Sequence, residues 1–191
     1  ACLVGSEMCI RDRYTTSFLK NLKNLKTIGE KAFSACYVYN ILGTNYITNT
    51  WGEREVYSGL KEVILPDCVT ELGKGAFSNN YYMQTVTLGS GIKNIPELCF
   101  GNDSKDKNSG ARLEKVIVSD KLETIGDNAF ANQYKLTTLG TKTKLEEGTV
   151  QFADGLVSIG DNAFLNCGKS YDSASMTAVH IMVLPENVKT T

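Results

Sequence analysis

What this sequence lacks narrows its chemistry first. It contains one histidine, His180, which excludes a multi-histidine metal site and leaves a single imidazole for any acid–base scheme. Its six cysteines include no Cys-x-x-Cys pair, which removes a zinc ribbon or a thioredoxin-like motif. No apolar run approaches the roughly 20 residues that cross a bilayer, so no membrane insertion is expected within this chain. Neither sign of charge is in excess. Twenty Lys and Arg oppose 21 Asp and Glu for a net charge of −1, which gives no global attraction to nucleic acid or an anionic surface. What remains is a chain of 191 residues, 42% hydrophobic and 21% charged, able to bury one good-sized core.

The first residues stand apart. The segment "LVGSEMCIRDR" at 3–13 matches nothing downstream and resembles the translation of a transposase-adapter sequence used in preparing DNA sequencing libraries. Residues 1–13 are therefore set aside from fold reasoning, as a fusion scar would be, and expected to be disordered, with Cys2 and Cys9 among them. Residues 14–191 form the folding unit. The native chain is expected to extend past both ends, because "LPENVKTT" at 184–191 opens a repeat whose second half is missing.

From Tyr14 onward the chain aligns with itself. The unit reads "LKTIGEKAF" at 25–33, "VTELGKGAF" at 69–77, "IKNIPELCF" at 92–100, "LETIGDNAF" at 122–130 and "LVSIGDNAF" at 156–164. A second block precedes most copies: "LKEVILP" at 60–66, "MQTVTLG" at 83–89, "LEKVIVS" at 113–119, "LTTLGTK" at 136–142 and "VHIMVLP" at 179–185. The phenylalanines give the period. Phe77 to Phe100 is 23 residues, and the steps to Phe130 (30), to Phe164 (34) and from Phe33 to Phe77 (44) are 23 plus insertions of 7, 11 and 21. The last of these insertions is either a degraded repeat or an excursion.

A period near 23 lies in the leucine-rich repeat range. The joint pattern, clearest in "LKEVILPDCVTELGKGAF" at 60–77, resembles the BspA-like leucine-rich repeat family, and the resemblance runs from about Leu22 to Thr191. The expected fold is an α/β, β-rich solenoid with a parallel strand ladder and short helical or 3-10 turns. In "LKEVILP", Val63 and Leu65 alternate with Glu62 and Ile64, so the first pair faces inward. Phe33, Phe77, Phe100, Phe130 and Phe164 are expected to stack as one internal column. Where four copies carry Gly29, Gly73, Gly126 and Gly160, the third carries Pro96. Proline holds φ near −65°, so this position opens a turn and does not require positive φ.

Chemistry is sparse. Cys36 and Cys167 occupy the slot that elsewhere holds Asn80, Asp103 and Gln133, which reads as a small or polar turn position rather than a thiol site; the two lie too many coils apart to pair. Cys99 replaces the repeat alanine, and Cys68 has no evident partner. His180 sits at a strand start with no nucleophile beside it. The insertion "GNDSKDKNSGAR" at 101–112 alternates oxygen ligands, but Lys107 and Leu113 stand where an EF-hand needs Gly and Glu. Asp127 and Asp161 recur with Lys74 in a sister copy, which is wrong for catalytic carboxylates and reads as helix-start acids. No catalytic residue, metal site or cofactor is indicated, and no enzymatic activity is expected.

Two surfaces are candidates for binding a partner. The aromatic stretch at 37–57 carries Tyr39, Tyr46, Trp51 and Tyr57, and Tyr81 and Tyr82 fall at the next coil's counterpart of Tyr37. Exposed Tyr and Trp among Asn, Thr and Gly suit a protein or glycan surface; alternatively Tyr37, Tyr81 and Tyr134 cover the edge of the core. The second is an outward column of Ile64, Thr87, Ile117 and Val183 on the strands, a partner stripe or a simple strand-forming preference. The family resemblance implies a non-catalytic binding or adhesion module of a microbial cell-surface or secreted protein. Its partners would be host or neighbouring-cell proteins or glycans. A structural spacer that displays another domain is the other reading.

Overall fold

The computed structural model describes residues 2–3, 19, 21–36, 47–48, 54–55, 60–103, 111–168, 181–186 and 188–190. In chain order the strands are β1 (Cys2–Leu3), β2 (Thr27–Ile28), β3 (Ile47–Thr48), β4 (Arg54–Glu55), β5 (Glu62–Ile64), β6 (Glu71–Leu72), β7 (Thr85–Thr87) and β8 (Asn94–Ile95). They continue as β9 (Lys115–Val118), β10 (Thr124–Ile125), β11 (Thr138–Thr141), β12 (Thr149–Gln151), β13 (Ser158–Ile159), β14 (Ile181–Val183) and β15 (Lys189–Thr190).

Each coil contributes a longer strand and then a two-residue strand. The longer ones form a six-stranded parallel sheet in the order β14-β12-β11-β9-β7-β5. The short ones build a second wall, β15-β13-β10-β8, alongside the β1-β2-β6 set. Alternation places Val63, Val86, Val116, Leu139 and Val150 in one register row, all buried, as the period-2 pattern requires. Cys2–Leu3, from the segment set aside at the sequence level, pairs in parallel with β2.

A third wall comes from the repeated Ala-Phe turns. Successive coils are laced there by backbone bonds from one phenylalanine amide to the carbonyl before the next phenylalanine: Phe33 to Ala76 (2.7 Å), Phe77 to Cys99 (2.9 Å), Phe100 to Ala129 (2.8 Å) and Phe130 to Ala163 (2.8 Å). With the backbones locked at that spacing, the rings must stack. Their centroids lie 5.1, 5.4, 5.5 and 5.3 Å apart along the column from Phe33 to Phe164, with planes within 12° of parallel. The first four rings are buried and Phe164 is partly so.

These turns are tandem hydrogen-bonded turns, and the described residues contain no α-helix. Ala129 N–H returns to Gly126 O, and Ala131 N–H returns to Asn128 O. Left-handed backbone falls two residues after the Gly/Pro position, at Lys31, Gly75, Leu98, Asn128 and Asn162, with φ between 52° and 61°. Gly and Asn tolerate that conformation best. The recurring Gly29, Gly73, Gly126 and Gly160 do not have positive φ. Gly73 and Gly126 serve contact between coils instead: a Cβ on Gly73 would sit 2.3 Å from Glu30 N, and one on Gly126 2.7 Å from Glu97 N. Asp127 likewise works between coils, not at a helix start. Its Oδ1 accepts the Asp161 amide at 2.9 Å.

In three of the five coils the slot three residues past the phenylalanine donates to the preceding coil's phenylalanine carbonyl. Asn80 Nδ2 reaches back to Phe33 O (2.7 Å) and to Phe77 O (2.8 Å), Gln133 Nε2 to Phe100 O (2.6 Å) and Cys167 Sγ to Phe130 O (3.1 Å). Cysteine is therefore a weak donor here as well as a filler. Cys36, in the same slot, is disulfide-bonded, and its partner is none of Cys68, Cys99 and Cys167, which are free. Burial pushes the Cys167 thiol up to about 12 and the Cys99 thiol higher still.

The insertions fall outside the core in different ways. Thr27 pairs directly with Glu71, and Phe33 stacks on Phe77, so no rung stands between them in the short-strand wall or the phenylalanine column. Ile47–Thr48 and Arg54–Glu55 instead pair antiparallel, apart from both parallel walls. The 11 extra residues before Phe164 add a strand to one wall only. The long sheet steps from β9 to β11 to β12, while the short wall steps straight from β10 to β13. One strand spacing, about 4.8 Å, opens between the walls as a wedge. Phe152, buried and tilted 57° against Phe164, packs in it.

Candidate functional site

The six-stranded sheet presents its outer side as two columns. One runs Glu62, Thr85, Lys115, Thr138 in register. The other runs Ile64, Thr87, Ile117, Gly140. Ile64, Thr87 and Ile117 are half-buried, flanked by the exposed Glu62 carboxylate and the Lys115 side chain. Three of the four expected stripe residues are thus neighbours on adjacent strands. Val183 lies on β14 in register with Gln151 of β12, and its side chain lies outside the described residues.

The stripe is interrupted at its centre, which sequence reading did not anticipate. Gly140 holds the position that is β-branched in the three coils before it. A Cβ there would meet Lys144 O at 3.0 Å, Leu145 Cα at 3.2 Å and Leu145 Cδ1 at 3.3 Å. Residues 142–148 therefore fold over the outer side of β11. Gly148 N–H donates to Thr138 Oγ1 at 3.0 Å, and Lys144 Nζ reaches Asp154 at 2.6 Å. Every residue of β11 is consequently buried, whereas β7, β9 and β12 alternate. The signal was present in "LTTLG": glycine in a strand interior marks a close approach of another backbone.

The same strap makes a corner pocket of about 110 Å³ lined by Asp120, Thr141, Thr143, Lys144, Ala153 and Asp154. Asp120 and Asp154 occupy equivalent coil positions, and the wedge strand parts them. Two coils earlier the equivalents touch: Asp67 Oδ1 accepts the Ser90 amide at 2.7 Å, and that bond holds the Asp67 carboxyl below its ordinary range. Among the described residues no group of three His, Cys, Asp or Glu side chains is placed to hold a metal ion, and no helix is long and apolar enough to cross a membrane.

Of the aromatic candidates, Tyr81 and Tyr82 are half-buried, with the Arg112 guanidinium 5.1 Å from the Tyr82 ring centroid. Tyr134 is buried and covers the core. Tyr37, Tyr39, Tyr46, Trp51 and Tyr57 lie outside the described residues, as do His180 and residues 104–110.

Comparison with known proteins bears on this arrangement. A profile described as the BspA type leucine rich repeat region matches residues 12–137 and 107–187, in six copies. No curated protein matches. Among solved structures, the chain is similar to a leucine rich cell surface protein from Faecalibacterium prausnitzii A2-165, at 21% identity and a TM-score of 0.51. The match covers 86% of this chain and 29% of that one, so this chain spans under a third of its neighbour's length. At that identity the likeness concerns the fold.

Proposed function

Because this chain belongs to the BspA type leucine rich repeat family, we propose that it is a non-catalytic protein-binding module of a microbial cell-surface or secreted protein. The outer face of β5, β7 and β9 is its contact surface. The observation that carries this is the row of Ile64, Thr87 and Ile117, aligned across three adjacent strands beside Glu62 and Lys115. A partner pressed onto that row buries a continuous β-branched stripe and meets a charge of each sign at its margin, the usual anatomy of an apolar contact with a polar rim. Tyr81 and Tyr82 are a second candidate contact for a host or neighbouring-cell protein or glycan, and the sequence adds Tyr39, Tyr46, Trp51 and Tyr57 of the aromatic stretch as further candidates. The similar solved structure is that of a cell surface protein, which supports a surface location.

The test compares two arginines. Ile117→Arg puts a charge in the middle of the row, and Val157→Arg puts one at an exposed position on the short-strand side. Beads coated with each variant are assayed for attachment to cultured epithelial cells and to other bacteria. Ile117→Arg is expected to lower attachment at least tenfold and Val157→Arg to leave it unchanged, with Trp51→Ala as a probe of the aromatic patch. If both arginine variants attach like the parent, the strand face is not the contact. A spacer that carries another domain then fits better, consistent with the chain matching only 29% of its longer neighbour.

A further inference from the structure

The strap at 142–148 takes a route unlike that of the neighbouring connection from β9 to β11. From β9 to β11 the chain passes around the core side, through β10 and the Phe130 turn. From β11 to β12 it passes over the outer side, with Leu145 above Gly140 and Gly148 bonded to Thr138. Both connections join adjacent parallel strands and step the same way along the sheet. Equal steps on opposite faces have opposite hands. Parallel crossovers are overwhelmingly of one hand because strand twist favours it. The strap has the opposite hand to the β9–β11 connection beside it, so something other than strand twist must hold it down.

Its attachments are few and peripheral. Lys144 pairs with Asp154, whose side chain is 83% exposed. Next to the end of β11, Lys144 N–H closes a local turn on Thr141 O at 3.1 Å and the Thr141 and Thr143 hydroxyls lie 3.1 Å apart; beyond that turn Gly148 N–H donates to the Thr138 hydroxyl, whereas the core coils are laced amide to carbonyl. Leu145 rests half-buried on a glycine. At the downstream end Gly148 has φ +75° and open space around its Cβ, which suits a pivot. Segments held by a few exposed polar contacts open at much lower free energy than the core they lie on.

We propose that residues 142–148 form a latch that opens while the solenoid stays folded. Closed, the latch covers Thr138 and Gly140 and splits the outer face into a β5-β7-β9 part and a β12-β14 part. Open, it joins them into one six-strand surface. That it thereby sets how far a partner can extend rests on the strand-face reading above; the motion itself does not.

Amide hydrogen exchange followed by NMR on the whole chain tests the motion. Gly148, bonded only through the strap, is compared with Phe130, whose amide bonds to Ala163 in the core ladder. In the parent, Gly148 is expected to exchange roughly a hundredfold faster than Phe130. Lys144→Ala is expected to speed Gly148 by about twofold to fivefold and leave Phe130 alone, as loss of a surface ion pair implies. Exchange of Gly148 in step with Phe130, or a Lys144→Ala effect that is shared by both amides or absent from both, overturns the latch. Gly140→Val then props the strap outward, with unchanged Phe130 exchange as the check on folding. Raised bead attachment supports control of access. Unchanged attachment by Gly140→Val alongside a loss in Ile117→Arg refutes that control and spares the contact surface. An inert Ile117→Arg refutes the contact surface and leaves the latch standing.

Discussion

Between Phe77 and Phe100 the chain completes a coil in 23 residues; between Phe130 and Phe164 it takes 34. The core does not register the difference. The rings stack at 5.4 Å in the first case and 5.3 Å in the second, with planes 10° and 11° apart. The outside registers all of it, as an added strand, a strap of opposite hand and a wedge that holds Phe152. Interior spacing is fixed by hydrogen bonds between backbones, which tolerate no extra residue. An insertion is therefore expelled to whichever face it leaves from. The repeat specifies the solenoid, and the departures from it specify the surface.

The sharpest way to break this comparison is to truncate an aromatic in each region. Phe130→Ala should cost about 3–5 kcal/mol, since the ring is fully buried between two neighbours. Phe152→Ala should cost less, about 2–4 kcal/mol, because its wedge can partly collapse once the ring is gone. Urea denaturation measures both. Equal losses would show that the wedge is as rigid as the column, and a Phe130 loss under 1 kcal/mol would show that the column is not the core.

A smaller effect separates two glycines. Gly126→Ala drives a methyl to within 2.7 Å of Glu97 N, a backbone atom that cannot move without breaking the ladder. It should destabilise by roughly 1–3 kcal/mol. Gly148→Ala meets nothing within 4 Å and bears only the strain of φ +75°, so about 1 kcal/mol is expected. Thermal melts of the two variants rank them. A milder Gly126 variant would mean the coils can slide apart there.

The sequence made legible whatever repeats. Period, strand phase, the phenylalanine column and the turn-opening role of the Gly/Pro position could be read because five copies impose the same geometry on different residues. Pro96 in place of glycine was enough to place positive φ elsewhere, and it proved to fall two residues on, at Asn128 and its equivalents. Features that occur once were harder to read. Gly140 in "LTTLG" signals a close approach, but nothing in a period-2 pattern tells which backbone lies above a strand. The slot shared by Cys36, Asn80, Asp103, Gln133 and Cys167 reads as a mixture until the property that Asn80, Gln133 and Cys167 share, a donor aimed at the preceding coil's phenylalanine carbonyl, is seen in space. The acids of "GDNAF" suggested helix starts because a dipole effect and an amide acceptor from the next coil use the same residue type.

The faintest difference between regular and wedged coils is electrostatic. Asp67 bonds directly to the next coil through the Ser90 amide, while the wedge strand parts its later equivalents, Asp120 and Asp154. The amide bond lowers the folded-state pKa of Asp67. A depressed carboxyl pKa adds stability that is fully present above the unfolded value near 3.9 and is lost as pH falls through the folded value. Asp67 is exposed, so solvent screening limits the contribution to about 0.5 kcal/mol or less. Asp67→Asn should therefore lower the melting temperature slightly at pH 6, and the gap from the parent should close as pH falls through the folded value. A gap that is absent at pH 6, or that stays unchanged in acid, would show that the coil-to-coil bond contributes nothing of its own.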